Sequence, residues 1–188
     1  KALEGVGARI INQSWGYNST LNPDLIDSQR AFLRQSYGNF LTQMRQGKAI
    51  HVWAAGNEAA AQVSVSAAWP IIFPELAGYA IAVAALDGDG TIGRQTNRCG
   101  AARNHCLAAP GGVAAGASAY TRVARAGGGY RFGYGTSYAA PFVSGVLALM
   151  MQAYGDQLSL PEYTARLLGT ANKTGIYADA SIYGQGLV

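Results

Sequence analysis

A serine lies at the start of a predicted apolar helix, in the stretch GYGTSYAAPFVSG at residues 133–145. Ser137 can have two roles in that position. Its hydroxyl can cap the helix by accepting a hydrogen bond from a backbone N–H group. It can also be a nucleophile, because the free N–H groups and the positive end of the helix dipole stabilise an oxyanion. Taken alone, the pattern favours the cap.

Two cysteines, Cys99 and Cys106, lie in the glycine-flanked loop RCGAARNHCLAAPG and are separated by six residues. A loop of this length can bring the two thiols within disulfide range. A metal site would need more ligands than these cysteines and the nearby His105 provide. We therefore expect a disulfide, with two free thiols as the alternative. A disulfide would indicate an oxidising compartment.

The elements that position these residues alternate between buried strands and helices. Short apolar runs predict strands and helical spacing predicts one long helix between the first two of them. The predicted strands cover residues 8–14, 49–55 and 79–86, and the helix covers residues 23–47. Strand, helix and strand in this order indicate a parallel crossover, so the predicted class is α/β, with a mostly parallel sheet flanked by helices.

The remaining predicted elements lie in the second half of the chain. The DGDG stretch at residues 87–90 predicts a hairpin turn to a short partner at 91–95, because the later ligands of a calcium loop are missing. Short extended pieces are expected within residues 114–131. The helix at residues 137–154 is apolar on nearly every face, which predicts a place at the centre of the core. Ser159 is predicted to cap a last helix.

Composition predicts one domain over residues 1–188, since 49% apolar residues suffice for a core. The net charge is +4, but the arginines are scattered, so we expect no nucleic-acid partner. No apolar run reaches the ~20 residues of a membrane helix, so we expect no membrane span in this chain. The first residues resemble neither a signal peptide nor a natural start, which predicts that the chain is part of a longer protein.

Several strings resemble the subtilisin-like serine proteases, or subtilases, in the order that this family shows. GTSYAAPFVSG is similar to the serine signature GTSxAAPxVxG, and WAAGNE at residues 53–58 is similar to the segment with the oxyanion asparagine. INQSWG, FPELAGYAIAVAALD, AAPGG and YGQGLV resemble further family segments. NRCGAARNHCLAAPGG and ANKTGIYADASIYGQGLV are most similar to protease passenger domains of Gram-negative autotransporters. This resemblance implies a secreted or cell-surface protein.

The resemblance implies a serine endopeptidase acting on a peptide or protein substrate, and it assigns roles to individual residues. Ser137 would be the nucleophile and the Asn57 side chain the oxyanion donor. Two extended walls of the substrate cleft would be formed by Ser14, Trp15 and Gly16 and by Ala54, Ala55 and Gly56. Glu58 would lie at the mouth of the pocket for the residue before the scissile bond and favour a basic side chain there. The resemblance implies no cofactor; it leaves calcium binding open, but the sequence identifies no calcium site.

The general base is the part of the family pattern that this sequence lacks. A nucleophilic serine needs a base, and the family supplies an aspartate and a histidine before the serine. His51 lies inside a predicted strand and His105 inside the cysteine loop, so neither matches. We therefore expect an incomplete, subtilisin-like domain whose missing N-terminal segment carries both residues. Alone, the chain should be inactive and self-associate. The alternative is a noncatalytic peptide-binding or structural surface module.

Overall fold

The computed structural model describes residues 7–112, 122–124 and 126–188. Strands and helices alternate through most of these ranges. The strands are β1 (Ile10–Gln13), β2 (Ile50–Ala54), β3 (Ala80–Leu86), β4 (Cys106–Pro110), β5 (Arg122–Ala124) and β6 (Tyr130–Phe132). The α-helices are α1 (Ile26–Met44), α2 (Trp69–Ile72), α3 (Thr136–Tyr154), α4 (Leu160–Thr170) and α5 (Ala180–Tyr183).

A four-stranded parallel sheet in the order β1-β2-β3-β4 forms the centre of the fold. Every residue of β2 and β3 is buried, as expected for strands that are covered on both faces. Helix α1 forms the crossover between β1 and β2, preceded by a 3-10 turn at Pro23–Leu25. The predicted α/β class, the first three predicted strands and the first helix are therefore confirmed.

Alternate side chains along each strand belong to two separate hydrophobic layers. Trp53 of β2 packs with Trp69, Phe73 and side chains of α1 on one face of the sheet. Val52, the preceding residue, packs on the opposite face with residues of α3 and α4. The strands have this two-sided burial because successive side chains point to opposite faces.

Helix α3 is less buried than its composition predicts. It packs across all four strands of the sheet and buries Ala139, Ala140, Val143 and Leu147. Its opposite side, which we call the α3 outer face, is exposed and consists of Pro141, Phe142, Gly145, Ala148 and Leu149. Phe142 is 48% exposed and Leu149 is 65% exposed. The predicted place at the centre of the core is therefore met by one side of the helix only, because no described element packs against the outer face.

The loops in the second half of the chain agree in part with the sequence predictions. Cys99 and Cys106 form a disulfide, with 5.7 Å between their Cα atoms. The Gly90 N–H donates to the Asp87 carbonyl over 3.0 Å, which confirms the turn, but its partner is a single bridge at Ile92 instead of a strand. Strands β5 and β6 form an antiparallel pair. The rest of the region predicted to be extended, residues 114–121 and 125, lies outside the described residues.

The end of the chain closes over β4 and the disulfide. Ser159 and Glu162 form a reciprocal capping box at the start of α4, as predicted. The backbone N–H of Val188 donates to the Ala108 carbonyl over 3.0 Å, and Cys99 N–H donates to the Ile182 carbonyl over 3.2 Å. Within the described ranges, no helix is both long and apolar enough to cross a membrane.

Candidate active site

Ser137 is the second residue of α3, and the helix begins at Thr136 after Gly135 at the N-cap. Its hydroxyl donates to the Ser14 carbonyl over 3.4 Å, and the Ser14 hydroxyl donates to the Ser137 carbonyl over 2.9 Å. A capping hydroxyl would instead accept a hydrogen bond from a backbone N–H of the first turn. Ser137 is therefore not the cap of this helix, and its oxygen is directed towards the β1 end of the sheet.

The Asn57 side chain supplies the cap that Ser137 does not. Its Oδ1 accepts hydrogen bonds from the Thr136 backbone N–H over 2.9 Å and from the Thr136 hydroxyl over 3.1 Å. Since a backbone N–H can only donate, the amide must present oxygen to the helix and direct its NH₂ group away from it. Gly135 permits this approach, because its φ is +115° and a Cβ there would lie 2.8 Å from Oδ1.

One backbone donor and one side-chain donor beside Ser137 are left for a ligand. Among the described residues, neither the Ser137 N–H nor the Asn57 Nδ2 group has a hydrogen-bond acceptor. Both residues line one pocket, at the positive end of a helix of 19 residues. Donors placed in this way stabilise the negative oxygen that forms when a carbonyl is attacked.

We call this cavity the Ser137 pocket, and it encloses about 140 Å³. Its lining includes five of the six residues assigned to the substrate walls. Its full lining is Ser14, Trp15, Gly16, Tyr17, Asn18, Ala54, Gly56, Asn57, Glu58, Ser64, Thr136 and Ser137. The sixth wall residue, Ala55, is fully buried and does not line the pocket, and its N–H donates to the Val83 carbonyl over 3.0 Å.

Aromatic rings hold one wall of the pocket in place. The Trp15 indole N–H donates to Gln13 Oε1 over 2.6 Å. The Trp15 ring packs edge-on against Trp53, with 5.2 Å between ring centroids, and against Phe40 at 6.3 Å. Trp15 nevertheless remains 46% exposed, so part of its ring is free to contact a ligand. Tyr17 extends the same wall and was not among the predicted site residues.

Glu58 is the one charged side chain among the residues that line the Ser137 pocket. One of its carboxylate oxygens accepts a hydrogen bond from Asn97 Nδ2 over 2.7 Å. Thr136 and Asn97 were both missed as site residues by the sequence reasoning. Thr136 could have been found from its place beside the serine in the motif, whereas Asn97 contacts the site only through the fold.

No described histidine takes the position of a base for Ser137. His51 is buried in β2, where its Nδ1 lies 3.3 Å from Gln13 Nε2 and its ring packs against Phe40. His105 ends the 3-10 helix at Gly100–His105, and partial burial lowers its pKa below the usual value. The described residues also contain no group of three His, Cys, Asp or Glu side chains that could hold a metal ion.

A family model described as the subtilase family matches residues 1–186. The chain belongs to the subtilase family. It is 31% identical over 183 residues to serotype-specific antigen 1 of Mannheimia haemolytica, covering 95% of this chain and 20% of that protein. It is 27% identical over 220 residues to the Neisserial autotransporter lipoprotein NalP of Neisseria meningitidis serogroup B, covering 97% of this chain and 20% of that protein. The chain thus spans about a fifth of the length of these relatives.

A solved protease-domain structure has a similar arrangement of elements. The chain superposes on a mutant of the protease domain of PatA with a TM-score of 0.69 and 25% identity. The match covers 98% of this chain and 57% of that one. The resemblance to subtilases and to autotransporter proteins is therefore confirmed, and the parallel sheet with flanking helices is that of a subtilase domain.

Proposed function

We propose that the full-length protein is a serine endopeptidase in which Ser137 attacks the peptide carbonyl. The observation that carries this proposal is the pair of free donors, Asn57 Nδ2 and the Ser137 N–H, beside a serine that does not cap its helix. The Ser137 oxygen would form a bond to the carbonyl carbon while a base takes its proton. The carbonyl oxygen would become an oxyanion between the two donors. The base would then protonate the leaving amine, and water would release the acyl group from Ser137.

We propose that the base comes from residues outside this chain, in a segment that precedes it in the full-length protein. Two features of the fold support this. Strand β1 is an edge strand of the described sheet, and the α3 outer face is apolar and exposed. A segment that paired with β1 and covered Phe142 and Leu149 would bury this surface and approach Ser137. Without it, we expect the isolated chain to have no triad catalysis.

The similarity to an autotransporter lipoprotein supports export to the surface of a Gram-negative cell, and we propose that location for this protein. The Cys99–Cys106 disulfide is consistent with an oxidising compartment. The proposed substrate is an extended peptide or protein segment held by backbone hydrogen bonds along the two walls. The carboxylate of Glu58 supports a preference for a basic side chain next to the scissile bond.

The decisive experiment treats the full-length protein with a fluorophosphonate probe and maps the labelled residue by mass spectrometry. The proposal predicts labelling of Ser137 and loss of labelling in Ser137→Ala. The isolated 188-residue chain serves as the control, and it should label far more slowly because it lacks the base. A folded full-length protein that is not labelled, or is labelled elsewhere, would instead support the noncatalytic peptide-binding or structural module.

A further inference from the structure

Asn97 is a fully buried polar residue whose side chain bonds to one loop of the candidate site. We call residues 55–60 the oxyanion loop. The Asn97 Oδ1 accepts hydrogen bonds from the N–H groups of Glu58 and Ala60, each over 3.0 Å. Its Nδ2 donates to the Ala55 carbonyl over 3.2 Å and to the Glu58 carboxylate over 2.7 Å. All four hydrogen-bonding positions of this amide are therefore used within the loop.

The oxyanion loop needs outside contacts to keep its shape. Ala59 has a φ of +54° and is the one non-glycine residue with a left-handed backbone among those the structure describes. This conformation is unfavourable for a residue with a Cβ, so the surrounding structure must impose it. The Asn97 N–H donates to the Gly56 carbonyl over 3.0 Å, and the Ala59 N–H donates to the Gln95 carbonyl over 2.8 Å. The segment around Asn97 thus supports the loop along its length.

Gly56 shows how closely the amide of Asn97 approaches the loop. Its φ is +111°, and a Cβ at this position would lie 2.2 Å from Asn97 Nδ2 and 2.6 Å from Glu58 Oε2. Any other residue would displace the amide, the carboxylate or both. Asn97 and Glu58 therefore pack directly against the backbone before Asn57.

We propose that Asn97 is a positioning residue that fixes both the oxyanion donor Asn57 and the pocket carboxylate of Glu58. The inference rests on the proposed function of Ser137 and adds to it. Asn97 holds the backbone on both sides of Asn57, so it sets where the Asn57 amide lies relative to Ser137. It also holds one Glu58 oxygen, which leaves the other available to a cationic substrate side chain.

Two substitutions of Asn97 in the full-length protein separate its effect on Glu58 from its effect on Asn57. Asn97→Asp keeps an oxygen for the Glu58 and Ala60 N–H groups, but it places a second carboxylate oxygen against Glu58 Oε2. Asn97→Ala removes all four side-chain hydrogen bonds. Thr164→Val is the matched control, because Thr164 is buried and donates to the Gly78 carbonyl over 2.8 Å in a different part of the fold. Glu58→Gln gives the reference for a pocket without the carboxylate.

The assay uses two peptides that differ only by Lys or Leu before the scissile bond, with melting temperatures for every variant. In Asn97→Asp, repulsion between the two carboxylates should turn Glu58 away from the pocket. The kcat/KM for Lys relative to Leu should therefore fall about three- to tenfold, mainly through KM and close to the value of Glu58→Gln. In Asn97→Ala, kcat should fall about 10–100-fold for both peptides, because Asn57 is misplaced. Thr164→Val should lower the melting temperature without changing either ratio.

The outcomes distinguish this inference from the function on which it rests. If the wild-type protein cleaves both peptides but folded Asn97→Asp and Asn97→Ala keep its kcat and its Lys preference, Asn97 has only a structural role and the inference is wrong. The same holds if their kinetic losses equal those of Thr164→Val. If the wild-type protein neither cleaves peptides nor labels at Ser137, the proposed function is wrong, and this inference with it.

Discussion

The α3 outer face should make the isolated chain self-associate, and removing its two large side chains should suppress the association. The perturbation is the double substitution Phe142→Gln and Leu149→Gln. Both side chains lie on one helical face, since they are seven residues apart. Glutamine keeps the helix, because it is a good helix former, and it removes the apolar surface.

The size of the effect follows from the exposure of these two residues. Phe142 is 48% exposed and Leu149 is 65% exposed, so about half of each side chain remains to be covered. Full burial of such a side chain contributes about 1.5–3 kcal/mol. Covering half of both therefore contributes about 1.5–3 kcal/mol to association. This corresponds to a dissociation constant about 10–150-fold weaker in the double variant.

Sedimentation equilibrium of the 188-residue chain measures this constant directly. Ile176→Gln is the matched control, because Ile176 is 52% exposed but lies in the 3-10 helix at Gly175–Ala178 instead of on α3. It should leave the association nearly unchanged. A wild-type chain that stays monomeric, or a double variant that associates as strongly as Ile176→Gln, would refute the reasoning. In the full-length protein, the double variant should lose stability by a similar amount.

Three further predictions concern the site and the stability of the full-length protein. Asn57→Ala should lower kcat about 10²–10³-fold with little change in KM, a magnitude established for subtilisin itself; a loss below about tenfold in peptide hydrolysis would contradict the oxyanion role. Replacing both Cys99 and Cys106 by alanine should lower the free energy of unfolding in urea by about 2–3 kcal/mol, because the loop they close is short; an unchanged value would contradict this. Hydrogen bonds from the Ser159 hydroxyl and N–H lower the pKa of Glu162 below 4.5. The resulting stabilisation is present above about pH 4.5 and is lost as the pH falls through the lower pKa of the folded state, so Ser159→Ala should flatten the acid side of a stability profile.

The sheet could be predicted from sequence because its strands are buried on both faces. A run such as AIAVAAL in β3 contains no polar residue, and that pattern is typical of a parallel strand between helices. The short partner expected at residues 91–95 was less predictable, because a single bridge at Ile92 depends on the path of the following loop. The residue types of the DGDG stretch identified the turn, but they did not show how many of the following residues pair with β3.

The candidate site was predictable where its residues lie in a local motif and not where the fold brings them together. Ser137 and Asn57 each lie in a recognisable sequence string. Asn97 is 39 residues from Glu58 in sequence, and its proposed role depends on a contact that only the tertiary structure creates. The prediction for the burial of α3 failed in part for a related reason. Apolar composition shows that a surface needs cover, but it does not show which segment provides it.

The proposed catalytic apparatus has two parts, the oxyanion donors and the general base, and only the donors are proposed to come from this chain. Asn57 and Ser137 are connected through Thr136, whose N–H and hydroxyl both bond to Asn57 and whose oxygen accepts the Gly56 N–H over 3.2 Å. Contacts among described residues of this chain therefore orient the Asn57 amide, the proposed oxyanion donor. A base from another segment would take the proton of Ser137, while the proposed hydrogen-bond donors for the oxyanion are already in place. On this proposal, the donors beside Ser137 can keep their arrangement although neither described histidine is placed as its base.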